Sequence, residues 1–224
     1  MAGKNIIITG STGMVGKVVL EEALGHPEVA KVTALVRKPQ AIKHPKYEEI
    51  VHKDFTSFTG SESIFQGQDI AYFCIGVYTG QVSDDMFKTI TVDFVTAFGD
   101  MLAAQSPQAG FCLLSGAGAD LTEKSRVSFA RYKGMAENYL LQKGFPALGI
   151  FRPAYIYPVE KRKEPNPAYG IFRFLYPLMK RIFPKSVITS ETLGKAIFLG
   201  GLRGVPKDIL ENEEIKALLK EVGS

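Results

Sequence analysis

Three evenly spaced glycines, Gly10, Gly13 and Gly16 in the run NIIITGSTGMVGK, carry the first chemistry legible in this chain of 224 residues. They stand where an apolar strand gives way to a helix. Gly10 permits the tight turn, Gly13 lets the main chain approach a pyrophosphate, and Gly16 allows the helix to pack against the sheet. Ser11 and Thr12 fill the turn, and free amides near Met14 and Val15 face an anion at the positive end of the helix. Spacing alone is weak. Here it follows a strand, opens a helix and closes on a second strand, VTALV, at the distance expected of a βαβ dinucleotide cradle. About 20 residues beyond such a motif, an acid would hold the ribose 2′-hydroxyl of NAD, whereas cations suit the 2′-phosphate of NADP. The second strand ends LVRKP, so Arg37 and Lys38 predict NADP(H), because a guanidinium can clamp a phosphate through two parallel hydrogen bonds.

Such a cradle needs a sheet to hold it. Short apolar runs alternate with longer helical patterns, which predicts an α/β fold: a doubly wound parallel sheet with helices on both faces. The strands are expected at 5–9, 32–36, 48–52, 70–75, 110–115 and 147–151, in the order 3-2-1-4-5-6 with a seventh short strand. Helices are expected near 14–25, 84–105 and 126–143. The strands are nearly unbroken apolar runs, as when both sheet faces are covered. After residue 151 the rhythm loosens. YPVEKRKEPNPAYG predicts a surface loop, IFRFLYPLMKRIF an amphipathic stretch, TSETLGKAIFLGGL a helix, and ENEE the start of a last one. We expect a single domain over 1–224, with residues 155–190 forming a small C-terminal substrate lip.

Composition excludes several classes. Lys and Arg total 27 against 23 acids, a formal net charge of +4, too slight to predict nucleic-acid binding. Cys74 and Cys112 lie in the apolar runs AYFCIG and GFCLLS, as buried thiols of a reducing compartment do. His26, His44 and His52 lack zinc-site spacing. The N-terminus moves straight into a strand without the apolar core of a signal peptide, and no run approaches the ~20 apolar residues that span a bilayer. A cytoplasmic protein is the expectation. For IFRFLYPLMKRIF, broken by Pro177, a lid or subunit contact is expected ahead of a lipid surface, and the KRK run at 161–163 is expected to be a solvated loop.

Taken together, TGSTGMVG, CIG after the fourth strand, LLSGAGAD after the fifth, a helix bearing Lys133, and FRPAYIY resemble an atypical short-chain dehydrogenase/reductase. The nearest likeness is to the oxidoreductase-like Tat-interacting protein branch, with NmrA-type redox sensors more distant. The resemblance covers nearly the whole chain. It implies that Asp54 meets the adenine amine with Phe55 beside the base, and that Ile75 and Gly76 pass beside the ribose. It also implies that Pro153, Ala154 and Ile156 run along the nicotinamide carboxamide. In the family a serine after the fifth strand polarises a carbonyl, a tyrosine moves the proton, and a lysine four residues later holds the nicotinamide ribose. The serine corresponds to Ser115 and the lysine to Lys133, but the tyrosine corresponds to Phe129. Tyr132 lies about 100° around the helix from Lys133 and is not an automatic substitute for that tyrosine. Tyr78, Tyr155, Tyr157 or water remain as proton donors.

Three functions follow. The first is an NADP(H)-dependent oxidoreductase passing hydride to or from a small carbonyl or enone. The second is a non-catalytic NADP(H)-sensing protein with a protein partner, motivated by the missing tyrosine. The third, a nucleotide-sugar epimerase or dehydratase, ranks last because it wants the same tyrosine and a larger substrate domain.

Overall fold

The computed structural model describes residues 3–78, 80–160, 176 and 179–222. The KRK run and most of the IFRFLYPLMKRIF stretch lie outside the described residues. Seven parallel strands form one sheet: β1 (Lys4–Thr9), β2 (Val29–Val36), β3 (Tyr47–Val51), β4 (Ile70–Phe73), β5 (Gly110–Leu114), β6 (Leu148–Arg152) and β9 (Ile209–Glu211). Their order is β3-β2-β1-β4-β5-β6-β9, so the expected reversal at β1 is present and β9 is the added seventh strand. A separate two-stranded parallel ribbon pairs β7 (Tyr155–Tyr157) with β8 (Val187–Thr189).

Alternate residues of each strand enter different cores, which is why the strands read as unbroken apolar runs. Ile6 and Ile8 of β1 join Ala34, Tyr72 and Cys112 beneath α1 (Gly16–Gly25), α5 (Ser190–Arg203) and α6 (Asn212–Val222). Ile7 joins Leu35, Phe73, Phe111 and Ile150 on the other face, beneath α3 (Phe94–Gln105) and α4 (Ser128–Lys143). Burying each isoleucine, leucine or phenylalanine among them contributes about 1.5–3 kcal/mol. The polar tip of Tyr72 in the first core is satisfied, because its hydroxyl donates to the Phe198 carbonyl at 2.7 Å.

The helix expected over 84–105 is interrupted. α2 (Asp84–Lys88) passes through a π turn at Thr89–Asp93 before α3 begins. No proline or glycine marks the break. The wider turn sets Phe87, Ile90 and Thr91 all inward, and Ile90 reaches the mouth of the sheet. Register makes that mouth: Thr9 pairs with Leu35 on one side and Phe73 on the other, so three strands end together. The loops that leave these ends, and those after β5 and β6, stand side by side along the C-terminal edge of the sheet, where open α/β sheets bind ligands.

Candidate active site

The first of these loops is shaped by its glycines. Gly10 has φ +72°, and a side chain there would overlap the carbonyl carbon of Cys74 at 2.5 Å. A side chain on Gly16 would overlap the Gly10 carbonyl, which instead accepts from the Gly13 amide at 2.9 Å. The helix that follows has no side-chain cap and no acid in its first turn. Two hydroxyls in and beside the loop, Thr9 Oγ1 and Ser11 Oγ, are buried with no partner among the described residues. Buried hydroxyls are almost always bonded, so Ser11 points to a ligand acceptor such as a phosphate oxygen. The donor set therefore fits a pyrophosphate on the start of α1.

A cavity of about 210 Å³ continues from this loop over β2 and β4. Gly10 to Gly13, Arg37, Phe55, Ile75 and Gly76 line it, together with Leu35 and Phe94, which sequence reasoning did not single out. Phe55 is buried against Phe94, with ring centroids 5.6 Å apart, and offers an apolar wall to a flat ring. Two expected ligands stand elsewhere. Lys38 is exposed beyond the lining, and Asp54 turns one carboxylate oxygen, Oδ1, to its own turn, accepting from the Thr56 amide at 2.9 Å and the Thr56 hydroxyl at 2.5 Å. Those bonds, the hydroxyl's first, hold the Asp54 carboxyl below the usual carboxylate range. An Asp two residues before a Thr is an Asx-turn signal, so the local use was available in the sequence.

Gly13, Cys74, Gly76 and Val77 also border a second cavity of about 350 Å³, so the two form one trough across the sheet. Met14, Val15, Ser115, Phe129, Lys133, Pro153, Ala154 and Ile156 all line this end. Ser115 is set by the sheet. Its amide donates to the Phe151 carbonyl at 2.8 Å, and the Ala117 amide to that of Pro153 at 2.9 Å, extending the β5–β6 ladder into the loops. Ala154 is tied by its amide to Asn212 Oδ1 at 3.1 Å, and Asn212 also donates to Lys185 and Val187, fastening the β7–β8 ribbon to α6.

α4 supplies the rest. The Phe129 ring stands over Gly116, whose missing side chain leaves it room, and stacks on Phe87 with centroids 6.5 Å apart. Lys133, one turn on, donates from Nζ to the Leu114 carbonyl at 3.3 Å. Burial lowers Lys133 to about 8, and the nearby Glu137 carboxylate limits the fall. Tyr132 turns away from the trough and donates to Asp84 of α2 at 2.7 Å.

Sequence reasoning missed the groups behind the site. Glu137 is fully buried and accepts from the Ser115 hydroxyl and from Arg152, whose Nε lies 3.1 and 3.0 Å from its two oxygens. Arg152 Nη2 closes the pair, and Nη1 reaches Glu211 at 3.1 Å. The available signal was position: Glu137 stands four residues after Lys133 on the same helix face.

The comparisons agree with this geometry. Residues 10–147 match the NAD(P)H-binding family. Protein HTATIP2 of Rattus norvegicus is 29% identical over 179 residues, covering 77% of this chain and 70% of that protein. The mitochondrial protein fmp52 of Emericella nidulans is 26% identical over 226 residues, covering 94% and 92%. A short-chain dehydrogenase/reductase of Saccharomyces cerevisiae superposes with a TM-score of 0.72 at 13% identity, covering 97% of this chain and 99% of that one, a likeness of fold. With its trough, its strand order and its matched glycine loop, the chain belongs to the NAD(P)H-binding family and carries its cofactor loop on a Rossmann-like sheet.

Proposed function

We propose that the protein is an NADP(H)-dependent oxidoreductase that exchanges a hydride with a small carbonyl or enone, without the tyrosine its relatives' architecture leads one to expect. The observation that carries this reading is that Ser115, Phe129 and Lys133 line one cavity continuous with the phosphate-binding loop. When bound, the nicotinamide supplies the hydride. The amides after β1 and the Ser11 hydroxyl hold the pyrophosphate, and Arg37 at the rim favours the 2′-phosphate. Pro153 to Ile156 support the nicotinamide end, and the β7–β8 ribbon forms part of the lip over it within a single domain. Val77, Leu114 and Phe129 give this end of the trough an apolar wall, which suits a small apolar carbonyl substrate.

Stopped-flow oxidation of bound NADPH against small aldehydes, ketones and enones tests the proposal. Turnover with at least one acceptor is expected. Tight binding with no turnover would favour the second reading, a non-catalytic NADP(H) sensor, which rests on the phenyl ring at 129.

A further inference from the structure

Two hydroxyls that would ordinarily face a substrate oxygen are unavailable in this trough. Phe129 offers a ring edge where a phenol would stand. Ser115 keeps its hydroxyl but has already committed the hydrogen, which it donates to Glu137. That carboxylate is fully buried and gripped by the Arg152 guanidinium through both of its oxygens, so it acts only as an acceptor. A serine hydroxyl has one hydrogen to give. Ser115 therefore turns lone pairs, and no hydrogen, toward the cavity. A bare carbonyl placed there would meet lone pair against lone pair.

Lys133 differs on each count. It lines the same cavity, and among the described residues only one of its three N–H groups has an acceptor, the Leu114 carbonyl. On the oxidoreductase reading above, we propose that Lys133 Nζ is the catalytic acid and base at the substrate oxygen, and that Ser115 accepts a hydrogen bond beside it, from the ammonium or from the product hydroxyl. In the reducing direction the carbonyl carbon accepts the hydride and its π electrons move to oxygen. An N–H bond of Lys133 breaks, its electron pair stays on nitrogen, and an O–H bond forms on the product alcohol. Solvent returns the proton to the amine. In alcohol oxidation each transfer runs backward.

The charge environment supports both forms of the amine. Burial brings Lys133 to about 8, so it can give and retake a proton near neutrality. Glu137 faces it from its own helix, with Arg152 of β6 behind that carboxylate and Glu211 of β9 beyond. Among the described residues around the cavity the other titratable groups are Tyr78, Tyr155 and Cys74, the last pushed up to about 12 by burial and so a neutral thiol throughout.

The test combines three variants with two readouts. Turnover of 4-nitrobenzaldehyde with NADPH is followed from pH 6 to 10, and the lysine titration is read by carbon NMR of labelled side chains with NADP⁺ bound. For the wild type, kcat should fall as pH rises through the NMR midpoint, which should lie near 8. Lys133→Arg, still cationic but unable to release a proton, should lose at least about 100-fold in kcat. Ser115→Ala should lose less than about tenfold. Lys133→Cys should be inactive and should recover with 2-bromoethylamine, which restores an amine. The chain's own Cys74 and Cys112 are buried and unreactive by comparison. Lys133→Arg retaining kcat, failure of rescue in a protein that still binds NADPH, or a 100-fold loss in Ser115→Ala would overturn the proposal and leave the oxidoreductase reading standing. No turnover by NADPH-bound wild type with any carbonyl would remove both.

Discussion

Replacing Glu137 by alanine separates structure from chemistry at this site. The wild-type carboxylate is fully buried, and the Arg152 side chain is 12% exposed. Removing the acid leaves a nearly buried guanidinium with only the half-exposed Glu211 for a counter-charge, and leaves the Ser115 hydroxyl without its acceptor. Breaking one side of a buried pair costs about 3–5 kcal/mol, and the Ser115 hydroxyl, which borders the cavity, can turn to water and adds little. For a chain of this size each kcal/mol lowers Tm by about 2–4 °C, so Glu137→Ala should melt roughly 6–20 °C early. Urea unfolding followed by circular dichroism should show a lower midpoint with an unchanged m-value. The double variant Glu137→Leu with Arg152→Met removes both charges and keeps apolar volume. It should return to within about 2 kcal/mol of wild type, because the desolvation of both ions is no longer paid. A loss below about 1 kcal/mol in the single variant, or a double variant no better than the sum of the singles, would refute the view that this pair is buried and mutually dependent.

Other substitutions follow the same geometry. Phe129→Tyr places a phenol beside Lys133 and should raise kcat about tenfold; a gain of about 10³ or more, as when an acid is supplied to a site that has none, would show that Lys133 does not act as one. Arg37→Glu should weaken NADPH by about tenfold or more and leave NADH nearly unchanged, as measured by fluorescence titration. Lys133→Met bears on stability against pH. Burial lowers the folded lysine from 10.5 to about 8, so between these values the unfolded chain binds the extra proton and wild-type stability gains from this residue as pH rises. The whole gain is at most roughly 3 kcal/mol. Urea midpoints of wild type minus Lys133→Met, without cofactor, should therefore climb from pH 8 to 10.5; a flat difference would place the ammonium in water.

What was legible in the sequence follows physical scale. The strands and their order were readable because two-sided burial makes every residue of a run such as Ile6 to Ile8 apolar, and the glycine loop because Gly10 and Gly16 meet neighbouring main chain that admits no side chain. The π turn at Thr89–Asp93 was not readable, since one extra residue in a helical turn shifts the apolar phase without any breaker residue. The β7–β8 ribbon joins residues about 30 apart through a segment outside the described residues, and three-residue strands carry too little periodicity to detect. At the site, residue types drew attention to Ser115 and Lys133, and both line the trough. The polarity of Ser115 was hidden, because it depends on Glu137 and Arg152, which meet only when α4 lies across β6. Asp54 illustrates the reverse: a family position whose carboxylate serves its own loop.

The claim on which the rest depends is that main-chain amides after β1, helped by Ser11, bind the diphosphate of a nicotinamide coenzyme. Isothermal calorimetry of NADPH and of NADH into the purified chain measures it directly. One saturable site per chain is predicted, with NADPH the tighter ligand by about tenfold. No saturable heat with either coenzyme would contradict the account.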